Sequence, residues 1–393
     1  MAKNATKNPF EFGRELNATE LVDRRDELRK VLRSMENRGK LFLIGPRRYG
    51  KTSLLKAAAS KAEEAKIVVL RYDAEAYESL ELLAAALLSG AARALAGPLD
   101  KVKDALARVA GHLKPEATYD VNDAKLSVTI GAKAPGRGAK RDDLPILADV
   151  LDAVEALAKE SGRAVVVVID EFQQVVDEKR ATAERQIRSR VQRHEHVGYI
   201  FAGSATRLLA DMTGDPGRAF YKLGSRLFLG SIPREEFTAF LHAGFTNSGF
   251  RIETAALDTI LDLAEDVPYN VQQLAHQCWE WLREDNSRVL TTSAVAENRD
   301  QIVRQENPAY TQIWKSLTRV QKVALKAVVQ DDGKNLMSEE TTRKYRIGAS
   351  SMNQALAILD KRALVREEEL LGNGRFRLED PFLGAWLRMV QEQ

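Results

Sequence analysis

The chain has 393 residues, which fits two or three domains at ~100–200 residues each, and its 44% apolar content argues against general disorder. Lys+Arg at 59 against Asp+Glu at 56 leaves a net charge of +3, which excludes a wholesale polyanion-coating protein and confines any nucleic-acid contact to local patches. One cysteine, Cys278, excludes an internal disulfide and a cysteine-rich zinc site.

In chain order, a short polar arm precedes a helix pattern over 23–35, with Leu28, Val31, Leu32 and Met35 at helical spacing. Leu41–Ile44 reads as a short apolar strand, followed by a glycine-bounded loop, a helix with Leu54 and Leu55, and a second strand, Ile67–Leu70. This alternation is the pattern of a parallel sheet covered by helices. A helix is expected over 80–96. Residues 97–145 break the alternation and read as an insertion. It holds a helix (Leu99–Ala110), a period-2 stretch (Lys125–Ile130) and a basic Gly-rich loop with Lys133, Arg137, Lys140 and Arg141. The alternation resumes with a helix over 147–159 and the strand Ala164–Ile169. A helix over 181–193 and strands Tyr199–Ala202 and Leu227–Leu229 complete it. Pro233 opens a helical region that runs to about Gln305, and Asn307-Pro308 reads as a linker. No segment approaches the ~20 apolar residues that span a bilayer, and the start MAKNATKNPFEFG has no apolar run behind its lysines. A soluble cytoplasmic protein with no membrane partner is expected.

The strongest motif is Gly45-Pro46-Arg47-Arg48-Tyr49-Gly50-Lys51-Thr52, followed by Ser53. It fills G-x-x-x-x-G-K-[ST] between a strand and a helix. Its glycines let backbone N–H groups face phosphate oxygens, and the helix N-terminus favours anions. Lys51 reaches the outer phosphates of ATP, and Thr52 offers a hydroxyl to Mg²⁺. The complement is Val165-Val-Val-Val-Ile-Asp170-Glu171, an apolar strand that ends in two carboxylates. Asp170 is expected to help hold Mg²⁺ and Glu171 to polarise the attacking water.

GPRRYGKTSLL and VVVVIDEFQ together resemble the prokaryotic, archaeal-type ATPases of the AAA+/STAND group. NPFEFG…LVDRRDEL, YIFAGSATRLL and FYKLGSRLFLGSIPREEF agree with that resemblance. They look like the family's N-terminal box beside the nucleotide base, its sensor-1 strand and turn, and the join to its helical lid. The resemblance implies that Ser204 is the sensor-1 residue near the γ-phosphate. It implies that Arg226, before the last core strand, is an arginine finger, with Arg218 the competing candidate. VPYNVQQLAHQCWE takes the sensor-2 position but departs from many AAA+ proteins, having no arginine at Asn270 or just after it.

The histidines His112, His194, His196, His242 and His276 lack the spacing and company of a metal site. Trp279, Trp281, Trp314, Trp386 and Cys278 are expected in cores or hinges. In the last part of the chain, Thr318-x-x-Gln321 is a capping box before a helix with Val320, Val323, Ala324, Ala327 and Val328 at helical spacing. A short helix over 338–344 and a third from about Ser350 to Lys361 follow. Two extended runs then meet at Gly372-Asn373-Gly374, a hairpin signal. Three helices and a hairpin make a winged helix-turn-helix, and LEDPFLGAWLR resembles the end of the family's winged-helix domain. Residues 310–393 hold 14 Lys+Arg against 11 Asp+Glu, a weak basic bias. Ser351, Asn353, Gln354 and Lys361 on the third helix, and Arg375 and Arg377 on the wing, suit DNA contact. Glu367, Glu368 and Glu369 beside the wing oppose it.

The expected fold class is α/β, a parallel-sheet P-loop (AAA+-like) core over 1–232 with the insertion 97–145, a helical lid over 233–307, and a winged helix-turn-helix over 308–393. The expected function is an Mg·ATP-hydrolysing molecular switch in regulation or defence. The partners in view are an unknown protein, a second copy of the chain, and DNA through the winged helix and loop 133–141. The alternative is a DNA-binding AAA+ protein resembling replication initiators or transposition regulators.

Overall fold

The structure, a computed structural model, describes residues 7–95, 113–120, 125–132, 146–176, 181–204, 206–285, 287–368 and 374–391. The expected helix Leu99–Ala110, the basic loop 133–141 and Gly372-Asn373 of the wing turn lie outside the described residues.

The chain divides into two compact units. One comprises Leu16–Pro46 and Lys51–Gly230. Its strands are β1 (Lys40–Ile44), β2 (Val68–Asp73), β3 (Leu113–Asp120), β4 (Lys125–Ala132), β5 (Val165–Asp170), β6 (Val197–Gly203) and β7 (Ser225–Phe228). Five of them form a parallel sheet in the order β2-β5-β6-β1-β7. β5 and β6 are buried along their whole lengths, as strands covered on both faces must be, which explains their unbroken apolar runs. β3 and β4 pair with each other as an antiparallel ribbon within the insertion. Helices α1 (Arg25–Glu36), α2 (Lys51–Glu64) and α3 (Leu80–Leu95) fit the expected spans. In α1 the stripe Leu28, Val31 and Met35 is the buried one. Phe42, Phe172, Phe201 and Phe220 form an aromatic cluster on one sheet face, with Phe172 and Phe201 centroids 4.4 Å apart.

The second unit comprises the N-terminal residues to Glu15, Arg47–Gly50, and Ser231–Gln393. Phe10, fully buried, packs on Phe245 at 4.7 Å, and Asn8 donates to the His276 carbonyl at 3.2 Å. Four helices, Arg234–Asn247, Thr254–Leu263, Pro268–Glu284 and Thr292–Gln305, carry the short parallel pair β8 (Arg251–Ile252) and β9 (Val289–Leu290). Asn307-Pro308 is not a linker: a helix, Asn307–Ser316, begins there with Pro308 in its first turn. Proline there needs no N–H and presets the helical φ, so the same dipeptide serves a helix start as well as a loop. The capping box of Thr318 and Gln321 is formed in full on the helix Arg319–Gln330. Such a cap contributes about 1 kcal/mol. Helices Glu339–Tyr345 and Ala349–Lys361 and the hairpin β10 (Val365–Glu368) with β11 (Arg375–Leu378) complete a winged helix. Met352, Ala355, Leu356 and Leu359 are buried, whereas Ser351, Asn353, Gln354 and Lys361 are exposed. Cys278, Trp279 and Trp386 are core residues. Among the described residues no helix is long and apolar enough to cross a membrane.

Candidate active site: the phosphate loop and the acidic strand end

The loop after β1 is held at its start by close backbone packing. A Cβ on Gly45 would sit 2.7 Å from the Leu229 carbonyl oxygen, so only glycine fits. Gly50 has φ +86 and takes the left-handed turn that opens α2. The first turn of α2 carries no acidic residue, leaving its N-terminus unopposed for an anion. Lys51 is buried, and its ammonium donates to the Pro46 carbonyl at 2.9 Å. Ser53 Oγ accepts the Leu16 N–H at 3.0 Å, which pins the helix start.

The sheet order places β5 next to β6 and β6 next to β1, so their carboxyl ends converge. Thr52 Oγ1 donates to Asp170 Oδ2 at 2.8 Å, and the Glu171 N–H donates to Asp170 Oδ1 at 2.9 Å. Hydroxyl and carboxylate oxygens are the donor types that a hard divalent cation takes. Burial raises the Asp170 acid above its ordinary value of 3.8, and the Thr52 bond opposes this. Glu171 sits in the left-handed region, φ 48 and ψ 43, at a cost of about 1–3 kcal/mol for a side-chain-bearing residue. Ser204, directly after β6, donates to Glu171 Oε2 at 2.8 Å. Lys51, Thr52, Asp170, Glu171 and Ser204 thus lie in one unit at adjoining strand and helix ends.

Arg226 and Arg218 differ in company. Arg226 is exposed on the edge strand β7, its guanidinium 6.0 Å from the Phe228 ring centroid. Arg218 is ion-paired with Glu184, a carboxylate only 2% exposed, and that bond holds its guanidinium above the ordinary range. His194, one of the discounted histidines, is buried between Tyr199 Oη at 2.7 Å and Asp152 at 2.8 Å.

Residues 47–50 of the loop cluster with the other unit. Arg48 pairs with Asp380 at 3.0 Å. Tyr49, 7% exposed, lies under the Arg366 guanidinium at 5.5 Å and accepts from its Nη2 at 3.2 Å. Asp380 also accepts from Asn270 Nδ2, Tyr310 Oη and the Phe382 N–H, each at 3.0 Å. The sequence reading missed Arg366, Asp380, Tyr310 and Gln173. Gln173 stood in the VVVVIDEFQ run without a role.

Residues 21–204 match the model for an ATPase domain predominantly from Archaea. They form an archaeal-type ATPase domain. Residues 308–389 match a probable winged helix domain, in accord with the helices and hairpin described above. The chain is an ATP-hydrolysing enzyme of the P-loop kind. Its fold is similar to a Walker-type ATPase of Pyrococcus abyssi, with a TM-score of 0.63 at 18% identity, covering 97% of this chain and 99% of that one. It is also similar to the ORC2 protein of Aeropyrum pernix in its ADPNP-ADP complexes, with a TM-score of 0.58 at 16% identity, covering 98% and 97%. Identities this low speak for shared fold alone. No curated protein matches the sequence.

The raised acid of Asp170 gives the ATPase a testable stability signature. A carboxyl whose folded value exceeds the unfolded one keeps its proton longer in the folded state. The stability it contributes is therefore greatest at low pH and falls as pH rises from about 3.8 through the raised value. Asp170→Asn removes the buried charge and keeps the shape. The nucleotide-free variant is expected to melt a few degrees higher at pH 7 than the parent and, on the metal-holding role proposed below for Asp170, to lose turnover. A melting scan and an ATPase assay check both, and a lower melting temperature would count against the buried-charge account.

Proposed function

We propose that the chain is an Mg·ATP-driven molecular switch of the AAA+/STAND kind, whose output is a contact made through the lid and winged helix. In this reading residues 1–232 are the ATPase core, 233–307 the lid and 308–393 the output domain. Gly45 to Ser53 hold the phosphates. Thr52 and Asp170 hold Mg²⁺, which supplies charge neutralisation on the phosphate oxygens. Glu171 takes the proton of the attacking water, and Ser204 orients it or the γ-phosphate. Arg226 reaches a second copy of the chain.

The observation that carries the switch reading is the company of the loop tip. Arg48 and Tyr49 lie inside the phosphate-binding motif, yet their partners are Asp380 and Arg366 of the winged helix. A loop that must cradle phosphates and also bears these bonds can report nucleotide state to the output domain. Hydrogen exchange tests it. Exchange across 306–310, 364–368 and 374–380 is expected to differ between the ADP-bound protein and the protein bound to a non-hydrolysable ATP analogue. The same exchange in both states would overturn the switch.

The second reading, DNA binding, is favoured by the exposed face Ser351, Asn353, Gln354 and Lys361. The wing opposes it, because Arg375 is paired with Asp332 and Arg377 with Glu368 and Glu265. An anisotropy titration of duplex and single-stranded DNA at low salt decides between them. No binding with or without ATP is expected on the switch reading. DNA binding whose log-affinity slope against log salt falls by ~0.9 with Lys361→Ala would favour the second.

A further inference from the structure

Glu171 is not held by its backbone alone. Its Oε2 accepts two hydrogen bonds, one from Ser204 Oγ at 2.8 Å and one from the Gln173 side-chain amide. The same Gln173 nitrogen donates its other hydrogen to Ser204 Oγ at 3.1 Å. Carboxylate, amide and hydroxyl therefore close a three-membered ring. Two of its three hydrogen bonds end on Oε2.

The glutamine is fixed in turn by what lies behind it. Its Oε1 is buried and without a hydrogen-bond partner among the described residues. That oxygen sits where a Cβ on Gly203 would be, 2.3 Å away, so glycine at the end of β6 makes room for it. A buried amide whose acceptor has no partner calls for an explanation, and its two donor bonds supply one here. The donors span residues on two strands' ends, Glu171 after β5 and Ser204 after β6.

We propose that Gln173 is the positioning residue for Glu171. It locks Oε2 against Ser204, so that Oε1 is presented for the proton of the attacking water. The proposal rests on Glu171 being the group that polarises water. Gln173 itself touches neither nucleotide nor water in this assignment. Its loss misplaces the carboxylate, and misplacement by about 1 Å costs on the order of 100-fold in rate.

The test uses the full chain with Mg²⁺ and ATP. Gln173→Met keeps the volume but donates nothing, and Gln173→Ala is the second variant in case the first misfolds. Both are expected to lose about 10–100-fold in kcat. KM, affinity for a fluorescent ATP analogue and melting temperature should stay near the parent values. In a Glu171→Gln background, adding Gln173→Met should change the residual turnover by less than about twofold, because residues that act as a unit are non-additive. Parent kcat in both Gln173 variants, or a full further loss in the Glu171→Gln background, overturns the proposal and leaves Glu171's role standing. Parent turnover in Glu171→Gln alone removes that role and the proposal with it.

Discussion

Glu171→Gln is expected to slow ATP hydrolysis by about 10²–10⁴-fold, the range for removing a positioned general base, while ATP affinity stays near that of the parent. The amide keeps the shape and can still accept from Ser204 and Gln173, but it cannot take a proton. Lys51→Ala gives the contrasting pattern. It removes a buried ammonium at the head of α2, whose charge in the proposed site would serve ATP in ground and transition state alike, so binding itself is expected to fail. Binding of a fluorescent ATP analogue, measured beside single-turnover hydrolysis, separates the two. A Glu171→Gln enzyme that turns over at the parent rate would refute the assignment of the base.

Arg226→Ala is expected to be at least as damaging if the arginine is supplied to a neighbouring copy, since such fingers contribute about 10³–10⁵ in rate. Arg226 stands exposed on the sheet edge, whereas Arg218 is committed to the buried Glu184. Activity per subunit should then rise with protein concentration in the parent and stay flat in Arg226→Ala. Mixing Arg226→Ala with Lys51→Ala should restore part of the activity, because each contributes what the other lacks. Absence of rescue in mixed oligomers, with their assembly confirmed by light scattering, would assign Arg226 a role within its own chain.

The parts of the fold that sequence revealed are those set by short-range chemistry. The phosphate loop announces itself because its glycines, lysine and threonine recur at a fixed spacing between a strand and a helix. The valine run of β5 is legible because a strand covered on both faces has no polar side to show. The capping box at Thr318 is a four-residue signal and is found intact. The failures have equally physical origins. Proline at the first turn of a helix looks the same as proline in a linker, so the start of Asn307–Ser316 was hidden. Asp380 gathers Arg48, Asn270 and Tyr310 from three distant stretches, and no local pattern encodes such a meeting. Gln173 bonds back to a Glu171 that adopts left-handed φ and ψ, a conformation that its residue type does not advertise.

Gly45 serves as a gauge as well as a turn. A Cβ there would lie 2.7 Å from the Leu229 carbonyl oxygen and 2.9 Å from the Leu229 Cβ, so the approach leaves no room for a side chain at position 45. Leu229 follows β7 directly, and its N–H donates to the Ile44 carbonyl at 2.7 Å. Arg226 lies three residues earlier on that strand. The start of the phosphate loop and the end of the arginine strand are therefore held at a spacing that admits glycine alone. A single methyl group at position 45 would act as a shim, prising β7 from β1 and shifting Arg226 without touching it.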